Sequence, residues 1–283
     1  MPFMPIIQGR WDWNLSLRGN NGMKTGIIGF GNMGKALAHG LASAGIKPKI
    51  CEVVTEKALE ATLQGFTICS VDEIASLSDI LVIAVKPQEL PKLLDSLGKH
   101  TAGKGIVSIA AGKKISLFEK RLGTSNVARF MPNLAASLAM SAVAVSYGEK
   151  AEESFRNDAL AIARAVGTAF EIPEKLMSAF TGLSGSGIAY VFSFINALAM
   201  GGVEAGIKYD DALAIALATT EGAVAVLRSQ KVHPSEMVSR VASPGGTTIE
   251  GIHVLEDAGF NASVMKAVIA AARKAELLEN DWK

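Results

Sequence analysis

The sequence predicts an α/β protein in which a doubly wound parallel sheet is followed by an all-helical domain. Three observations support this class. Strand and helix patterns alternate over residues 23–173, a Gly-x-Gly-x-x-Gly turn joins the first strand to the first helix, and strand patterns stop near Glu174, where alanine-rich helical periodicity begins. We therefore expect one domain over 23–173 and a second over 174–283, preceded over 1–22 by a disordered extension or by residues upstream of a functional start at Met23.

The stretch from Gly26 to Gly34 predicts a strand, a tight turn and the start of a helix. Gly29 suits the tight turn, Gly31 lets the backbone approach a pyrophosphate, and Gly34 lets the helix pack against its strand. The first amides of that helix are unpaired and attract a phosphate. A dinucleotide site is the favoured interpretation, and a purely steric glycine turn is the alternative.

The remaining elements follow from local patterns in chain order. Further strands are predicted over 48–54, 66–70, 79–85, 105–110, 126–130, 141–147 and 168–172. Helices are predicted over 35–44, 56–64, 71–77, 90–97, 115–122 and 151–166, and then over 176–180, 188–205, 209–229, 234–241, 248–258 and 261–278. The run 79–85 is apolar throughout, as in a strand covered on both faces of a parallel sheet. Such a sheet binds ligands at the carboxyl ends of its strands.

Composition argues against several functional classes. The chain has 28 basic and 27 acidic residues and no basic run, so we expect no nucleic-acid partner. Cys51 and Cys69 lack metal-ligand spacing, which indicates reduced, buried thiols of a cytoplasmic protein and no metal site. The uncharged run from Leu176 to Val203 is long enough to span a bilayer, but its glycine-rich polar start favours a helix buried against another subunit. We expect no membrane association.

A second unusual stretch is Ser243-Pro244-Gly245-Gly246-Thr247-Thr248-Ile249-Glu250. The two glycines free the backbone for close approach, and the helix that follows presents unpaired amides to an anion such as a carboxylate. The alternative is an ordinary helix start, because Thr247 and Glu250 have the spacing of a capping box, and for Thr247 taken alone this alternative is the favoured interpretation. That alternative leaves the Gly-Gly pair and Thr248 unexplained.

With these motifs the chain from Met23 onward resembles the pyrroline-5-carboxylate reductases. The resemblance rests on the glycine turn, Val85-Lys86-Pro87-Gln88, Ala110-Ala111-Gly112, Met131-Pro132-Asn133, Gly182-Leu183-Ser184-Gly185-Ser186-Gly187 with Ala189-Tyr190, and Ser243-Pro244-Gly245-Gly246-Thr247-Thr248-Ile249. In order and spacing this set spans nearly the whole chain. The last motif is the most specific, whereas many dehydrogenases share the first.

The resemblance implies a Rossmann domain, a helical dimerisation domain that interlocks with a second subunit, and a site where the two meet. It implies the last step of proline biosynthesis, in which 1-pyrroline-5-carboxylate is reduced to L-proline by hydride transfer from NADPH or NADH. It also implies a homodimer or a higher homo-oligomer.

The resemblance also carries over site residues, by their numbers in this sequence. The substrate carboxylate would be held by Ser243, Gly245, Gly246 and Thr247, and Thr248 would be the catalytic residue that hydrogen-bonds the ring nitrogen. The cofactor would contact Gly29, Phe30, Gly31, Asn32, Met33, Gly34, Glu52, Ala84, Val85, Lys86, Pro87, Ala110, Ala111, Gly112, Met131, Pro132 and Asn133. Two of these residues have an alternative interpretation. Lys86 is then a solvated charge at a strand end, and Pro132 only ends a strand. No histidine is assigned as proton donor.

Three positions depart from the family pattern. Leu134-Ala135 stand where Thr-Pro usually follows Asn133, and Ile188 replaces a common proline. Glu52 stands after the second strand, where the family often has Asn-Arg. An acidic side chain there accepts from the ribose hydroxyls of NADH and repels the 2′-phosphate of NADPH, so Glu52 favours NADH. Lys57 nearby could still serve a phosphate.

Two other functions compete with this interpretation. One is another imine or keto-acid reductase of the same plan, but the lysine expected in the hydroxyacid group is missing, since no lysine lies between Lys175 and Lys208. The other is a non-catalytic dinucleotide-binding sensor, which would have no use for the Ser243–Thr248 stretch.

Overall fold

A computed structural model describes residues 22–98 and 100–280 of the chain. The extension predicted for residues 1–22 therefore lies outside the described residues, apart from Gly22. The chain forms two compact units. The sheet unit comprises the residues up to Ala110 together with Ile115–Phe130 and Ala135–Phe170, and the helical unit comprises Ala111–Lys114, Met131–Leu134 and the residues from Glu171 onward.

The sheet unit is built on eight strands. They are β1 (Thr25–Ile28), β2 (Lys49–Cys51), β3 (Thr67–Ile68), β4 (Ile80–Ile83), β5 (Gly105–Ser108), β6 (Val127–Met131), β7 (Ser141–Tyr147) and β8 (Gly167–Glu171), in the spatial order β3-β2-β1-β4-β5-β6-β7-β8. All pairings from β3 through β6 are parallel. The order reverses between β1 and β4, which is the switch point where such sheets bind ligands. The predicted fold class is confirmed.

Strand β7 runs against its neighbour β6. The Gly148 amide, directly after β7, donates to the Val127 carbonyl at 2.8 Å, so the end of β7 lies beside the start of β6. The connection between the two strands is short, with a 3₁₀ turn over Leu134–Leu138, and has no room for the long crossover that a parallel pair needs. The edge of the sheet is therefore mixed, although parallel pairing dominates.

Helices cover both faces of the sheet. They are α1 (Asn32–Ser43), α2 (Thr55–Leu63), α3 (Val71–Leu77), α4 (Leu90–Leu97), α5 (Ile115–Leu122) and α6 (Glu153–Arg164). Successive strand residues point to opposite faces. Thus Ile27 packs in one core with residues of α1 and α6, whereas Ile28 packs in a second core with residues of α3, α4 and α5. This alternation explains why the strands are apolar at every position.

Within the described residues, the helical unit contains six α-helices. They are α7 (Met177–Phe180), α8 (Gly187–Glu204), α9 (Tyr209–Gln230), α10 (Pro234–Val241), α11 (Thr247–Asp257) and α12 (Phe260–Asn280). The predicted helix bounds agree with these to within a few residues. Between α7 and α8, however, the glycine-rich run continues the helical path as a π-helix, Thr181–Gly185, a form that local patterns do not predict. The amide of Ser186 donates to the carbonyl of Thr181 at 2.8 Å, the i→i+5 bond of this form.

The helical unit exposes a large apolar surface. Exposed side chains include Val191, Phe192, Phe194, Met200, Ile215, Leu217, Val254, Met265 and Ile269. Two segments, Glu174–Glu204 and Tyr209–Gln230, are long and apolar enough to cross a bilayer by length and composition alone, with mean hydropathies of 1.5 and 1.4. Helices covered by another subunit meet the same criterion. The absence of membrane association stays a prediction.

Candidate cofactor and substrate sites

The turn between β1 and α1 is so tight that two of its glycines cannot carry a side chain. Gly29 has φ +100°, and a Cβ there would lie 2.6 Å from the Ala84 carbonyl oxygen. A Cβ on Gly34 would lie 2.0 Å from the Gly29 carbonyl oxygen. These approaches are shorter than real Cβ contacts, so the absent side chains allow α1 to begin directly beside β1 and β4.

Gly31 faces open space. Its backbone is extended (φ −74°, ψ −176°), and no atom lies within 4 Å of a Cβ built on it. It is the N-cap of α1 and provides no side-chain hydrogen bond to the helix. The amides of Asn32 and Met33 open the helix behind this space, which leaves room for an anion beside the positive end of the helix dipole. The cradle therefore fits a pyrophosphate.

The carboxylate of Glu52 is held beside the glycine turn by three backbone amides. Oε2 accepts from the Phe30 amide at 2.7 Å, and Oε1 accepts from the amides of Val53 and Val54 at 2.8 and 2.9 Å. Glu52 directly follows β2, and β2 pairs with β1. The strand register therefore does not turn this side chain away from the glycine turn.

Two lysines lie near this end of the sheet. Lys35 forms an ion pair with Glu60, lowers the pKa of that carboxyl by their hydrogen bond, and has its Nζ 5.7 Å from the centre of the Phe30 ring. Lys57 lies half-buried in the first turn of α2 and has no ion pair within the described part of the chain. The cation closest in sequence to the glycine turn thus already has a carboxylate partner.

The end of β4 forms the other wall of the switch point. Ala84 donates its amide to the Ile28 carbonyl at 2.8 Å and contacts Gly29. The chain then turns, with the Glu89 amide donating to the Lys86 carbonyl at 3.0 Å. Lys86 is exposed, whereas Val85 and Pro87 are half-buried. An exposed Lys86 is compatible both with a solvated charge and with a phosphate contact.

The residues that follow β5 and β6 differ in their surroundings. Ala110 is buried in the sheet unit, and its amide donates to the hydroxyl of Ser108. Ala111 and Gly112 belong to the helical unit, where Gly112 has φ +70° and packs near the Leu278 carbonyl oxygen.

Met131 and Pro132 are buried, and Asn133 is half-buried. All three belong to the helical unit. The Asn133 Nδ2 donates to the Ser184 Oγ at 3.0 Å. This bond ties the end of β6 to the π-helix Thr181–Gly185 within the same unit.

Two notable side chains are absent from the predicted site residues. Lys113, immediately after Gly112, is only 2% exposed, and burial lowers its pKa to about 8. No local pattern distinguishes it from the exposed Lys114. Ser184, the partner of Asn133, belongs to a motif that marks the family, but its contact spans 51 residues and cannot be read from spacing. The thiols of Cys51 and Cys69 are free and buried, as predicted.

The loop before α11 is built by local contacts. Gly245 has φ +66°, and the Gly246 amide donates to the Ser243 carbonyl at 3.1 Å. A Cβ on Gly246 would lie 2.3 Å from the Ser243 Oγ. The first amides of the helix are those of Thr247 and Thr248, which have no acceptor within the helix. The loop thus places the Ser243 hydroxyl beside Gly246, directly before the unpaired amides of α11.

The capping-box alternative for this loop is wrong. The N-cap of α11 is Gly246, not Thr247, and it makes no side-chain cap hydrogen bond. Thr247 is already the first helical residue, so its hydroxyl does not satisfy the end of the helix. By contrast, Ser70 and Glu73 at the start of α3 form a capping box with both of its hydrogen bonds.

The structure thus brings the predicted residues together in separate groups. In the sheet unit, Glu52 and Ala84 each contact the glycine turn, at Phe30 and at Gly29 respectively. Asn133 contacts the π-helix in the helical unit, and Ser243 contacts Gly246 in the same unit. The roles assigned to these residues remain predictions.

Comparisons with known proteins connect the two units to one family. A family model described as pyrroline-5-carboxylate reductase dimerisation matches residues 174–278, and one described as NADP oxidoreductase coenzyme F420-dependent matches residues 24–112. Pyrroline-5-carboxylate reductase from Aquifex aeolicus is 40% identical over 263 residues, which are 90% of this chain and 97% of that protein. The chain belongs to the pyrroline-5-carboxylate reductase family.

Other members support the same assignment. The Methanosarcina acetivorans pyrroline-5-carboxylate reductase is 42% identical over 265 residues, which are 90% of this chain and 97% of that protein. The crystal structure of Plasmodium falciparum pyrroline carboxylate reductase with NADP bound has a TM-score of 0.81 and 28% identity and covers 91% of this chain and 98% of that one. The relatives and the solved structure therefore each match about nine-tenths of this chain and nearly all of their own length.

Proposed function

We propose that this protein reduces 1-pyrroline-5-carboxylate to L-proline with a nicotinamide dinucleotide, the last step of proline biosynthesis. The observation that carries the proposal is the match to pyrroline-5-carboxylate reductases over 90% of this chain, 40% identical with 97% of the Aquifex aeolicus protein covered. The Ser243–Thr248 loop supplies the chemistry, because its exposed helix start suits a small carboxylate. A sensor would need only the glycine turn.

Each part of the site has a proposed task. When bound, the dinucleotide supplies the hydride that the imine carbon receives. The glycine turn holds the pyrophosphate, and Val85–Pro87, Ala110–Gly112 and Met131–Asn133 border the rest of the cofactor. The backbone around Gly245, Gly246 and Thr247 holds the substrate carboxylate beside the hydroxyl of Ser243. Within this stretch the Gly246 amide already donates to the Ser243 carbonyl, so Gly245 and Gly246 shape the loop and the donors to the anion are the amides of Thr247 and of the adjacent Thr248.

Thr248 is the proposed catalytic residue. Its side chain is half-buried in the first turn of α11, one residue after Thr247, so one helix end can present amides to the carboxylate and a hydroxyl to the ring nitrogen. A hydrogen bond to that nitrogen orients the imine for hydride addition. The nitrogen takes its proton from water, since no histidine is assigned to this step.

The test is oxidation of NADH and of NADPH with 1-pyrroline-5-carboxylate, with L-proline identified as the product. The Thr248→Ala variant should lose about 10- to 100-fold in kcat/KM, the value of one or two hydrogen bonds in the transition state. Thr219→Ala, which removes an exposed hydroxyl from α9, is the matched control and should keep full activity. Failure of the wild type to form proline with either cofactor contradicts the proposal.

A thermal shift separates the enzyme from a sensor. Proline should raise the melting temperature further when the cofactor is present, because a ligand that binds only the folded state stabilises it. A sensor would respond to the cofactor alone.

We further propose that the enzyme uses NADH at least as well as NADPH. The Glu52 carboxylate is fixed by the amides of Phe30, Val53 and Val54 at the end of β2, the position from which acidic side chains accept the ribose hydroxyls of NADH. A fixed negative charge there also repels a 2′-phosphate.

Initial rates with both cofactors test this preference. Glu52→Gln removes the charge and should raise kcat/KM with NADPH relative to NADH by about tenfold or more, as expected for one relieved charge repulsion. Lys57→Gln tests the competing possibility that this lysine binds the phosphate, and it should leave the ratio unchanged. A wild type that strongly prefers NADPH would refute the role of Glu52.

The assembly proposed is a homodimer, or a higher homo-oligomer built from it, in the cytoplasm. The dimerisation model spans the same helices that expose the large apolar surface of the helical unit. Surfaces of this kind mark interfaces. Sedimentation should give at least twice the 29.6 kDa mass of the chain. We expect neither nucleic acid nor membrane among the partners.

A further inference from the structure

The two cysteines of the chain lie side by side on neighbouring strands of the sheet unit. In the parallel register of β2 with β3, Ile50 is paired with Ile68, so the next pair is Cys51 with Cys69. The Cys69 amide donates to the Ile50 carbonyl at 2.9 Å, which shows that the ladder continues to this position. Neighbouring strands lie about 4.8 Å apart. That spacing falls within the range of about 4.4–6.8 Å that a disulfide spans between Cα atoms.

Both thiols also lie on the same face of the sheet. Ile50 and Ile68 pack in the core beside α1 and α6, whereas Cys51 and Cys69 are buried together in the core beside α3, α4 and α5. This difference follows from the alternation of side chains along a strand. Paired positions on one face place the two thiols within reach of each other after a small movement of the strands.

The environment of the thiols keeps them reduced at rest. Burial, the charge of Glu52 and the nearby Cys69 raise the pKa of Cys51 to about 11. Burial and Glu73 also raise the pKa of Cys69, although Lys49 opposes that shift. Only the thiolate attacks a disulfide, so both side chains react slowly. Cys69 is the more exposed, 8% against 4%, and it follows β3, an edge strand of two residues that opens locally at low cost.

The backbone of Cys51 is part of the support for the glycine turn. Its carbonyl accepts from the Gly29 amide at 2.8 Å. The next residue is Glu52, whose carboxylate accepts from the Phe30 amide. Because β2 lies between β1 and β3, a cross-link from Cys51 to Cys69 draws the end of β2 away from β1. That movement weakens the bond to Gly29 and shifts Glu52.

We propose that Cys51 and Cys69 form a redox pair that a small disulfide oxidant closes, and that closure weakens dinucleotide binding at the glycine turn. The Cys69 thiolate attacks one sulfur of the oxidant, which forms a mixed disulfide and releases one thiol. The Cys51 thiolate then attacks the Cys69 sulfur and releases the second thiol. The cysteines lose two electrons, the oxidant gains them, and both protons leave on the released thiols. This inference goes beyond reductase activity and requires only the proposed cofactor site.

The chemical test treats the native, full-length protein with oxidised glutathione. Since the chain has two cysteines, an intramolecular disulfide can join only Cys51 to Cys69. Mass spectrometry should show the loss of two hydrogens, and alkylation after denaturation should find no free thiol. Cys51→Ala should stop at a stable glutathione adduct on Cys69, because no second thiol displaces it. Cys69→Ala should gain an adduct at least about tenfold more slowly, since its remaining thiol is the more deeply buried.

The functional test compares NADH binding by the reduced and the oxidised wild type in titration calorimetry. Oxidation should raise Kd about two- to tenfold, the value of one weakened hydrogen bond, and a dithiol reductant should restore it. Cys69→Ala is the matched control. It keeps Cys51 but cannot close the disulfide, so it should bind NADH equally well before and after treatment with the oxidant.

Each result decides a separate part of the proposal. Glutathione adducts on both cysteines without a disulfide, or thiols that react only after denaturation, would overturn the redox pair. A disulfide that leaves Kd unchanged would overturn its effect on the glycine turn. A reduced wild type that binds no dinucleotide contradicts the cofactor site itself, whereas a reduced wild type that binds NADH but forms no proline contradicts only the reductase function. The main comparison uses the wild type alone, and Cys69→Ser replaces Cys69→Ala as the control if the alanine variant does not fold.

Discussion

Replacing Gly31 by alanine should separate cofactor binding from folding. A Cβ at this position meets no atom within 4 Å, and the extended backbone suits alanine. As an N-cap, alanine lowers the free energy of unfolding by roughly 0.5–1 kcal/mol relative to glycine. Alanine also restricts the unfolded chain, which raises the free energy of unfolding by roughly 0.4–1 kcal/mol, so the two effects nearly cancel. The free energy of unfolding without cofactor should stay within about 0.5 kcal/mol of wild type.

Binding should change strongly in the same variant. The added methyl group occupies the space through which a pyrophosphate approaches the first amides of α1. Loss of one or two hydrogen bonds to a charged group costs about 2–4 kcal/mol, which is about 30- to 1,000-fold in Kd. Urea denaturation measures the first quantity, and titration calorimetry with NADH and NADPH measures the second.

Gly34→Ala is the control for this prediction. Its Cβ would lie 2.0 Å from the Gly29 carbonyl oxygen, so stability itself should fall by about 1–3 kcal/mol or more. Unchanged cofactor affinity in Gly31→Ala would refute the proposed approach of the pyrophosphate, and a large loss of stability in that variant would refute the argument from open space.

Three further outcomes are expected. Gly246→Ala should displace the flexible Ser243 hydroxyl, 2.3 Å from the new Cβ, so the melting temperature should hold while KM for the substrate rises at least about tenfold. Lys113→Met should raise the free energy of unfolding measured by denaturation at pH 7. The pKa of Lys113 in the folded protein, about 8, lies below its ordinary value of 10.5, because burial disfavours the charged ammonium. The cost of burying that charge is therefore full below pH 8 and vanishes as pH rises towards 10.5. Ser70→Ala should cost α3 about 1 kcal/mol of stability, by removing its bond with Glu73, without changing kcat.

The two domains could be distinguished from the sequence because their strands and helices follow from patterns of neighbouring residues. Continuous apolar runs such as β4 require burial on both faces, and the cores on the two sides of Ile27 and Ile28 show why. Helix ends marked by short-range chemistry were predicted closely, as at α4 and α10, which both have a proline in the first turn. Such helix ends depend on residues within one turn, so the tertiary structure does not move them.

Other features depend on partners distant in the sequence. The antiparallel course of β7 follows from its pairing with β6, and the π-helix over Thr181–Gly185 lies against α12 at Gly182. The spacing of Thr247 and Glu250 suggested a capping box, but the helix begins one residue earlier than that box requires. Neither the pairing of β7 with β6 nor the exact N-cap of α11 can be predicted from a short stretch of sequence.

The sequence by itself therefore determined the α/β class, the glycine cradle and the loop before α11, because glycine spacing and apolar periodicity act over a few residues. Only the tertiary structure decided that the Glu52 carboxylate faces the glycine turn, that Lys113 is buried, and that Ser184 meets Asn133. These facts depend on which strands and helices become neighbours, and that choice is made by packing of the whole chain.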